Sequence, residues 1–242
     1  MVYVAIALMG AIPYYLLFKS LKPKNALIIF ILSVSGFFVY SINPDIPKNI
    51  YSHIFEIIAL ATSVFTFYIS YKTTNLIKLS YYFLFLNAVS VFALPYKIFD
   101  TYYSSVVIAS SILYVIALKY IEIFESANFY NVKGLALTSP RLALMIRLTL
   151  MALGLYPPFS NFFALFLGIL KGGLDKAGYI ILGWIFFSNF FVAFRIMKNT
   201  IFGAPNEHIV YKDISGKSTL AMTIMLLILA AIGFANFLEA LI

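Results

Sequence analysis

Residues able to carry a proton, an ion or a metal are few and scattered in this chain. Among 242 residues there are 9 acidic residues, 17 basic residues, 2 histidines and no cysteine. The missing thiols exclude thiolate-held zinc and iron–sulfur sites within this chain. His53 and His208 stand in different loops without clustered ligands, so we predict neither a metal site nor a cofactor-binding site. We also find no phosphate-binding glycine loop and no nucleophile motif, so we predict no catalytic residue.

Among the polar residues within apolar runs, five are the candidates for an ion path: Glu56, Arg147, Asn161, Ser188 and Asn189. Charges in lipid are costly, which makes such residues functional candidates. Glu56 could serve a relay or complement a helix dipole. Arg147 stays protonated, so it is either a fixed charge for a neighbouring subunit's carboxylate or a side chain extending to the headgroups. The other three could bond backbone carbonyls freed at a helix break, or simply join helices.

The elements that hold these residues are transmembrane. Apolar residues make up 63% of the chain and charged residues 11%, whereas soluble domains average about 25% charged residues. We therefore predict a polytopic integral membrane protein. The net charge of +8 resides at the ends of apolar runs, which suits lipid headgroups and membrane topology rather than nucleic acid.

Hydropathy predicts an all-α transmembrane bundle of 8–9 segments. The apolar runs are 3–18, 25–42, 53–71, 78–96, 101–121, 140–156, 158–171, 177–199 and 218–241. Most approach the roughly 20 residues needed to cross a bilayer, but 158–171 is short, so it is a half-helix or a continuation of the run before it. The first run lacks a basic start and a cleavage site, and we expect it not to be a signal peptide. We divide the chain into 1–133, with about five helices, and 134–242.

Loop charges leave two topologies open. If 158–171 crosses the membrane by itself, ten basic residues lie inside and six outside. If 140–171 forms a single crossing, twelve lie inside and only Lys48, Lys97, Lys171 and Lys176 lie outside. The second arrangement agrees better with the positive-inside rule.

A helix break is predicted at Pro157-Pro158, because each proline removes a backbone donor and clashes with the preceding turn. In a membrane such a break is tolerated only where protein or a water-filled cavity satisfies the freed backbone groups. Transporters place ion and substrate sites at such breaks. We therefore expect a broken helix over residues 157–171, followed by a wall of phenylalanines that indicates a dry interior.

Residues 134–203 resemble one known family. The motifs are Ser139-Pro140, the Gly-Leu-Tyr-Pro-Pro stretch 154–158, the Ser-Asn-Phe-Phe-Ala-Leu stretch 160–165, and Phe194-Arg195. They are similar to the C-terminal part of the antiporter-like subunits of respiratory complex I, multisubunit cation/proton antiporters and membrane-bound hydrogenases. Over residues 1–133 the resemblance rests on hydropathy and general similarity.

The resemblance implies a cell-membrane subunit of a redox-driven ion-pumping enzyme complex, with other antiporter-like subunits and lipids as partners. Two departures qualify this expectation. The chain is truncated relative to the family and lacks the helices that carry its central lysines, and the family's lysine or glutamate at the break aligns with Leu165, which cannot bind a proton. We therefore expect a structural subunit whose own proton path is lost. The alternatives are an active proton- or sodium-translocating module using Glu56, Asn161 and Ser188, or a stand-alone transporter.

Overall fold

The computed structural model describes residues 1–18, 23–47, 49–171 and 173–241, and these residues form an all-helical bundle without strands. The bundle is 78% helix, which confirms the predicted all-α class. The helices are α1 (Val2–Ile6), α2 (Pro23–Ile42), α3 (Ile50–Lys72), α4 (Leu76–Asn87), α5 (Ser90–Ala93), α6 (Tyr96–Phe124), α7 (Leu135–Thr138), α8 (Pro140–Leu153), α9 (Ser160–Lys171), α10 (Lys176–Thr200) and α11 (Gly216–Leu241). A π-helical turn, Ala7–Ala11, continues α1, and a 3-10 turn covers Tyr14–Leu17.

Among the described residues, six helical stretches are long and apolar enough to cross a membrane: α2, α3, α4 with α5, α6, α10 and α11. Their number and hydropathy support an integral membrane protein. Within this bundle the α4–α5 stretch is 83% buried, whereas α11 is 22% buried. Helix α4 packs mainly on α6 and α3, while α6 also packs on α8 and α9. The centre of the bundle is therefore α4 with α6, and α11 lies at the rim against α9 and α8.

Hydrogen bonds gather three connecting segments at one end of the bundle. Phe129 donates its backbone N–H to the carbonyl of Thr74 (3.0 Å). The Ser139 hydroxyl donates to the carbonyl of Lys212 (3.0 Å). These contacts bring together residues 73–75, 125–139 and 201–215. We call this the basic end, because the following basic residues lie in these segments or next to them: Lys72, Lys78, Lys119, Lys133, Arg141, Arg195, Lys198, Lys212 and Lys217.

The connections between α2 and α3, between α5 and α6 and between α9 and α10 meet at the opposite end. Residues 44–47, Leu94, Tyr96 and Asp175 line one cavity of about 520 Å³ there. The Tyr3 hydroxyl donates to Oδ1 of Asn49 (2.9 Å), so α1 begins beside the same loop. Helices α2, α3, α4–α5, α6, α10 and α11 therefore each run from one end of the bundle to the other.

Three interruptions occur in the helices of the described chain. Residues 154–159, with a cis peptide bond between Pro157 and Pro158, separate α8 from α9. Two more interruptions lie within the apolar runs 3–18 and 78–96, in addition to the single broken helix predicted from the sequence. Gly10 has a φ of +129° within the π-helical turn, a conformation that favours glycine. Between α4 and α5 the backbone changes to i→i+3 hydrogen bonds after Asn87.

Candidate functional site at the helix interruptions

Asn161 closes the interruption between α8 and α9. Its side chain is 1% exposed, and its Nδ2 donates to the carbonyl of Ala152 near the end of α8. Its Oδ1 accepts the backbone N–H of Phe162 (3.1 Å). The Ala152 carbonyl also accepts the backbone N–H of Leu155 (3.2 Å), so it is satisfied by protein groups alone. The side-chain nitrogen and oxygen of Asn161 therefore both bond to backbone groups of the helices that flank the interruption.

The start of α9 is packed tightly between two other helices. Ser105 of α6 donates its hydroxyl to the hydroxyl of Ser160 (2.9 Å), which is itself buried. On the other side, Gly233 of α11 approaches so closely that an added Cβ would lie 2.6 Å from the Ser160 Cα. Such small-residue contacts let helix backbones approach in a bilayer. There is no space for water at this contact.

Leu165 lies one turn further along α9 and faces an apolar cavity. The side chain is 5% exposed, and the cavity beside it has a volume of about 370 Å³. Its lining residues come from α9 and α10: Phe162, Leu165, Phe166, Ile169, Tyr179, Leu182, Gly183 and Phe186. The Tyr179 hydroxyl is the one polar side-chain group in that set. A carboxylate or ammonium in place of Leu165 would find almost no polar partner there.

Asn189 belongs to a buried amide pair. Asn87 Nδ2 donates to Asn189 Oδ1 (3.0 Å), and Asn189 Nδ2 donates to Asn87 Oδ1 (2.6 Å). The Tyr102 hydroxyl also donates to Asn87 Oδ1, and Asn87 Nδ2 donates to the carbonyl of Phe83 (2.6 Å). All three polar side chains are fully buried. This amide network, Asn87, Tyr102 and Asn189, joins α4, α6 and α10 at the α4–α5 interruption.

Asn87 and Tyr102 are not among the five residues predicted from the sequence. An asparagine within the apolar run 78–96 is a signal that could have identified the first of them. Ser63 is not predicted either; its hydroxyl donates to the carbonyl of Leu86 at the same interruption (2.8 Å) and accepts the indole N–H of Trp184 (2.9 Å). Ser188 is different, because its hydroxyl bonds only within α10, to the carbonyl of Ile185 (3.2 Å).

The interruption at Gly10 is closed in the same way. The Tyr14 hydroxyl bonds to the carbonyl of Leu8 (2.8 Å), and the Tyr103 hydroxyl donates to the carbonyl of Met9 (2.5 Å). Amide and hydroxyl side chains thus serve all three interruptions. Such groups are neutral at ordinary pH.

Glu56 lies away from the interruption at 154–159. Its side chain is 24% exposed and lines the cavity at the opposite end with Asp45 and Asp175. Its Oε2 is 3.6 Å from Nδ1 of His53, an exposed side chain. Among the described residues, no hydrogen bond or ion pair connects Glu56 with Asn161 or Ser188. The five sequence candidates are therefore spread over separate sites.

Arg147 and Arg195 have contrasting surroundings. Arg147 is exposed on α8 and makes no hydrogen bond or ion pair with any described residue. Arg195 of α10 donates to the carbonyls of Ser70 (2.7 Å) and Thr73 (2.6 Å), and to that of Tyr71. Cations favour helix C-termini because unpaired carbonyls gather there. The Arg195 guanidinium therefore caps the C-terminus of α3 and clamps α10 to it.

No lysine, arginine, histidine, aspartate or glutamate is buried among the described residues; the buried polar side chains are serine, threonine, asparagine and tyrosine. No group of three histidine, aspartate or glutamate side chains in that part of the chain could hold a metal ion. The bundle interior is thus polar at its interruptions and uncharged.

Comparison with known proteins identifies solved structures of the same fold. A chain of the membrane-bound sulfane sulfur reductase, an archaeal respiratory membrane complex, has a TM-score of 0.68 and 16% identity, over 89% of this chain and 40% of that one. A chain of respiratory complex I from Thermus thermophilus has a TM-score of 0.64 and 16% identity, over 86% and 44%. A chain of the Mrp complex from a Dietzia species has a TM-score of 0.70 and 14% identity, over 89% and 51%.

This chain spans about half the length of those three chains, or less. The sequence matches no protein-family model and no curated protein. At such low identities the likeness establishes the fold. The chain therefore has a fold found among the membrane subunits of the complex I/antiporter superfamily, as the resemblance of residues 134–203 predicts.

Proposed function

We propose that this chain is a structural membrane subunit of a complex I-related assembly and does not itself translocate ions. The observation that carries the proposal is Leu165 beside an apolar cavity, at the position where the resembling family has a lysine or glutamate. A proton path needs a group that binds and releases a proton, and leucine has none. At the neighbouring interruption the Ala152 carbonyl accepts from Asn161 and from the backbone N–H of Leu155, so it needs neither an ion nor water as a partner.

The amide network supports the same proposal. Its donors and acceptors are directed at one another, so Asn87, Tyr102 and Asn189 already have protein partners. Admitting a hydrated ion would break these bonds and desolvate the ion, and both changes are unfavourable in a low-dielectric interior. We therefore assign the network to holding α4, α6 and α10 together.

We further propose that α8 and α9 form one interrupted crossing, giving eight crossings with the first apolar run included. Helices of 14 and 12 residues are about 21 and 18 Å long, so neither alone spans about 30 Å of hydrocarbon. Helix α8 begins at the basic end beside Lys212, and α9 leads to Asp175 at the opposite end. This arrangement corresponds to the count of twelve basic residues on one side, so the basic end faces the cytoplasm of a cell membrane and the N-terminus lies outside.

The assembled complex in proteoliposomes tests the proposal. Glu56→Gln removes the carboxylate of the 520 Å³ cavity, and Asp45→Asn in the same cavity is the matched control. We expect both variants to keep the wild-type ratio of ions moved to electrons transferred, with the full set of subunits present. Loss of translocation in Glu56→Gln alone, in a complete complex, would refute a purely structural role.

One observation favours an active proton- or sodium-translocating module as the second candidate. The cavity that contains Glu56 also reaches Val91 and Phe92 of α5, next to the α4–α5 interruption. The Glu56→Gln experiment separates the two functions. A stand-alone transporter would instead purify without any other subunit and would move ions when reconstituted alone.

A further inference from the structure

Helix α8 has one face that nothing in the described chain covers. Its exposed or half-buried positions recur at helical spacing: Arg141, Leu144, Arg147, Leu148 and Met151. The positions between them are buried, and Leu144 is 47% exposed. The uncovered stripe therefore follows the length of the helix, and we call it the outer face of α8.

Arg147 places a permanent charge in this outer face. It lies seven residues from Pro140 at the start of α8, or about 10 Å along the helix axis. Guanidinium remains charged, and an unpaired charge at membrane depth is costly. Asp213, the acid that contacts α8, accepts the backbone N–H groups of Arg141 (3.0 Å) and Leu142 (2.9 Å). Arg147 therefore has no carboxylate among the described residues to pair with.

The uncovered surface continues past the interruption into the apolar cavity. Pro157 and Pro158 are exposed there, and the Tyr156 ring lies 5.6 Å from the ring of Phe190 on α10. Phe190 in turn stacks on Phe186, which lines the cavity (6.3 Å). The charge, the exposed prolines and the cavity therefore form one surface along α8, α9 and α10.

This surface can receive a helix closely. A Cβ added to Gly183 in the cavity would meet nothing within 4 Å. The cavity of about 370 Å³ has room for a large apolar side chain. Small residues at such positions allow close approach of helices in membranes, where packing and polar contacts drive association.

We propose that this surface docks a transmembrane helix of a neighbouring subunit that carries an aspartate or glutamate opposite Arg147 and a large apolar side chain opposite the cavity. Charge complementarity identifies the occupant, because arginine pairs bidentately with a carboxylate and the pair removes the cost of two isolated charges. A lipid phosphate stays at headgroup level, whereas Arg147 lies about a third of the hydrocarbon thickness below the start of α8. The proposal rests on the proposed function in requiring a multisubunit assembly.

Substitutions that remove one charge each test the pairing in the intact complex. We expect Arg147→Gln to lower the amount of one neighbouring subunit that co-purifies by several-fold, while Arg147→Lys retains it. Arg141→Gln, on the same face of the same helix but at the aqueous end, is the matched control and should retain every subunit. Equal membrane insertion of all three variants excludes a folding defect as the cause.

Cross-linking identifies what contacts the face. Because the sequence has no cysteine, Met151→Cys provides a single attachment point for a maleimide photo-cross-linker. We expect a covalent product with the subunit that Arg147→Gln loses. Lipid adducts alone, together with full subunit retention in Arg147→Gln, would overturn the proposal and leave the proposed function standing. A wild-type chain that purifies without partners would instead refute the proposed function.

Discussion

Replacing Asn189 with leucine tests whether the amide network stabilises the bundle. Leucine is close in size to asparagine but makes no hydrogen bond, so Asn189→Leu removes both bonds to Asn87. Hydrogen bonds between membrane helices are worth about 0.6 kcal/mol on average and up to about 1.7 kcal/mol. Two such bonds contribute about 1 to 3 kcal/mol. Asn87 keeps its bonds to Phe83 and Tyr102 in the variant, which places the expected loss toward the lower end of that range.

A denaturant titration in mixed micelles, followed by Trp184 fluorescence, measures the free energy of unfolding. The double variant Asn87→Leu/Asn189→Leu completes a thermodynamic cycle, and we expect it to lose less stability than the two single losses added together. Ser188→Ala is the matched control, because that hydroxyl bonds only within its own helix and its removal should leave stability nearly unchanged. An Asn189→Leu variant as stable as wild type, with additive single losses, would refute a stabilising role for the network. Loss of ion translocation at unchanged stability would instead support an ion path through it.

Three further predictions concern packing, capping and the cavity. Gly233→Val should destabilise the chain by about 1–3 kcal/mol in the same titration, because the valine side chain would overlap the start of α9. An unchanged midpoint would show that α11 does not pack as described. Arg195→Gln should increase the rate of trypsin cleavage after Lys72, because the carbonyls at the end of α3 lose the guanidinium that caps them. A cleavage rate equal to that of wild type would contradict a capping role for Arg195. Leu165→Glu should impair membrane insertion by about 2.5–3.5 kcal/mol in a glycosylation-mapping assay, because the apolar cavity offers a carboxylate no partner. Normal insertion with a gain of proton translocation would show that the cavity hydrates readily.

Hydropathy and proline content predict much of the fold. The apolar runs locate α2, α3, α6, α10 and α11, because a helix must hide about 20 residues of backbone from lipid and does so with apolar side chains. Pro157 and Pro158 mark the interruption between α8 and α9, since proline removes a backbone donor. The structure places the Asn161 amide on the carbonyl of Ala152 beside that interruption.

The other interruptions and the pairing of polar groups could not be read from the sequence. The turn after Asn87 contains no proline, and Ser63 on α3 stabilises it by donating a hydrogen bond to the carbonyl of Leu86. Asn87 and Asn189 are 102 residues apart, and neither residue type specifies its partner. Likewise, Arg195 sits where a headgroup contact is ordinary for an arginine, and the three-dimensional packing alone brings it to the end of α3. Pairings of this kind depend on tertiary arrangement, which local spacing does not encode.

The side-chain hydrogen bonds at the interruptions also favour the correct packing of the helices over incorrect arrangements. A regular helix uses its backbone groups internally and offers its neighbours only a side-chain surface, which in lipid competes with equally apolar acyl chains. At each interruption, a side chain instead donates a hydrogen bond to a backbone carbonyl. Ser63 donates to Leu86, Tyr103 to Met9 and Asn161 to Ala152. A misplaced α3 or α6 would leave the carbonyl of Leu86 or Met9 without its side-chain partner in hydrocarbon, a penalty that correct placement avoids. Helix interruptions, which transporters use for binding sites, can thus also specify which helices pack together during assembly.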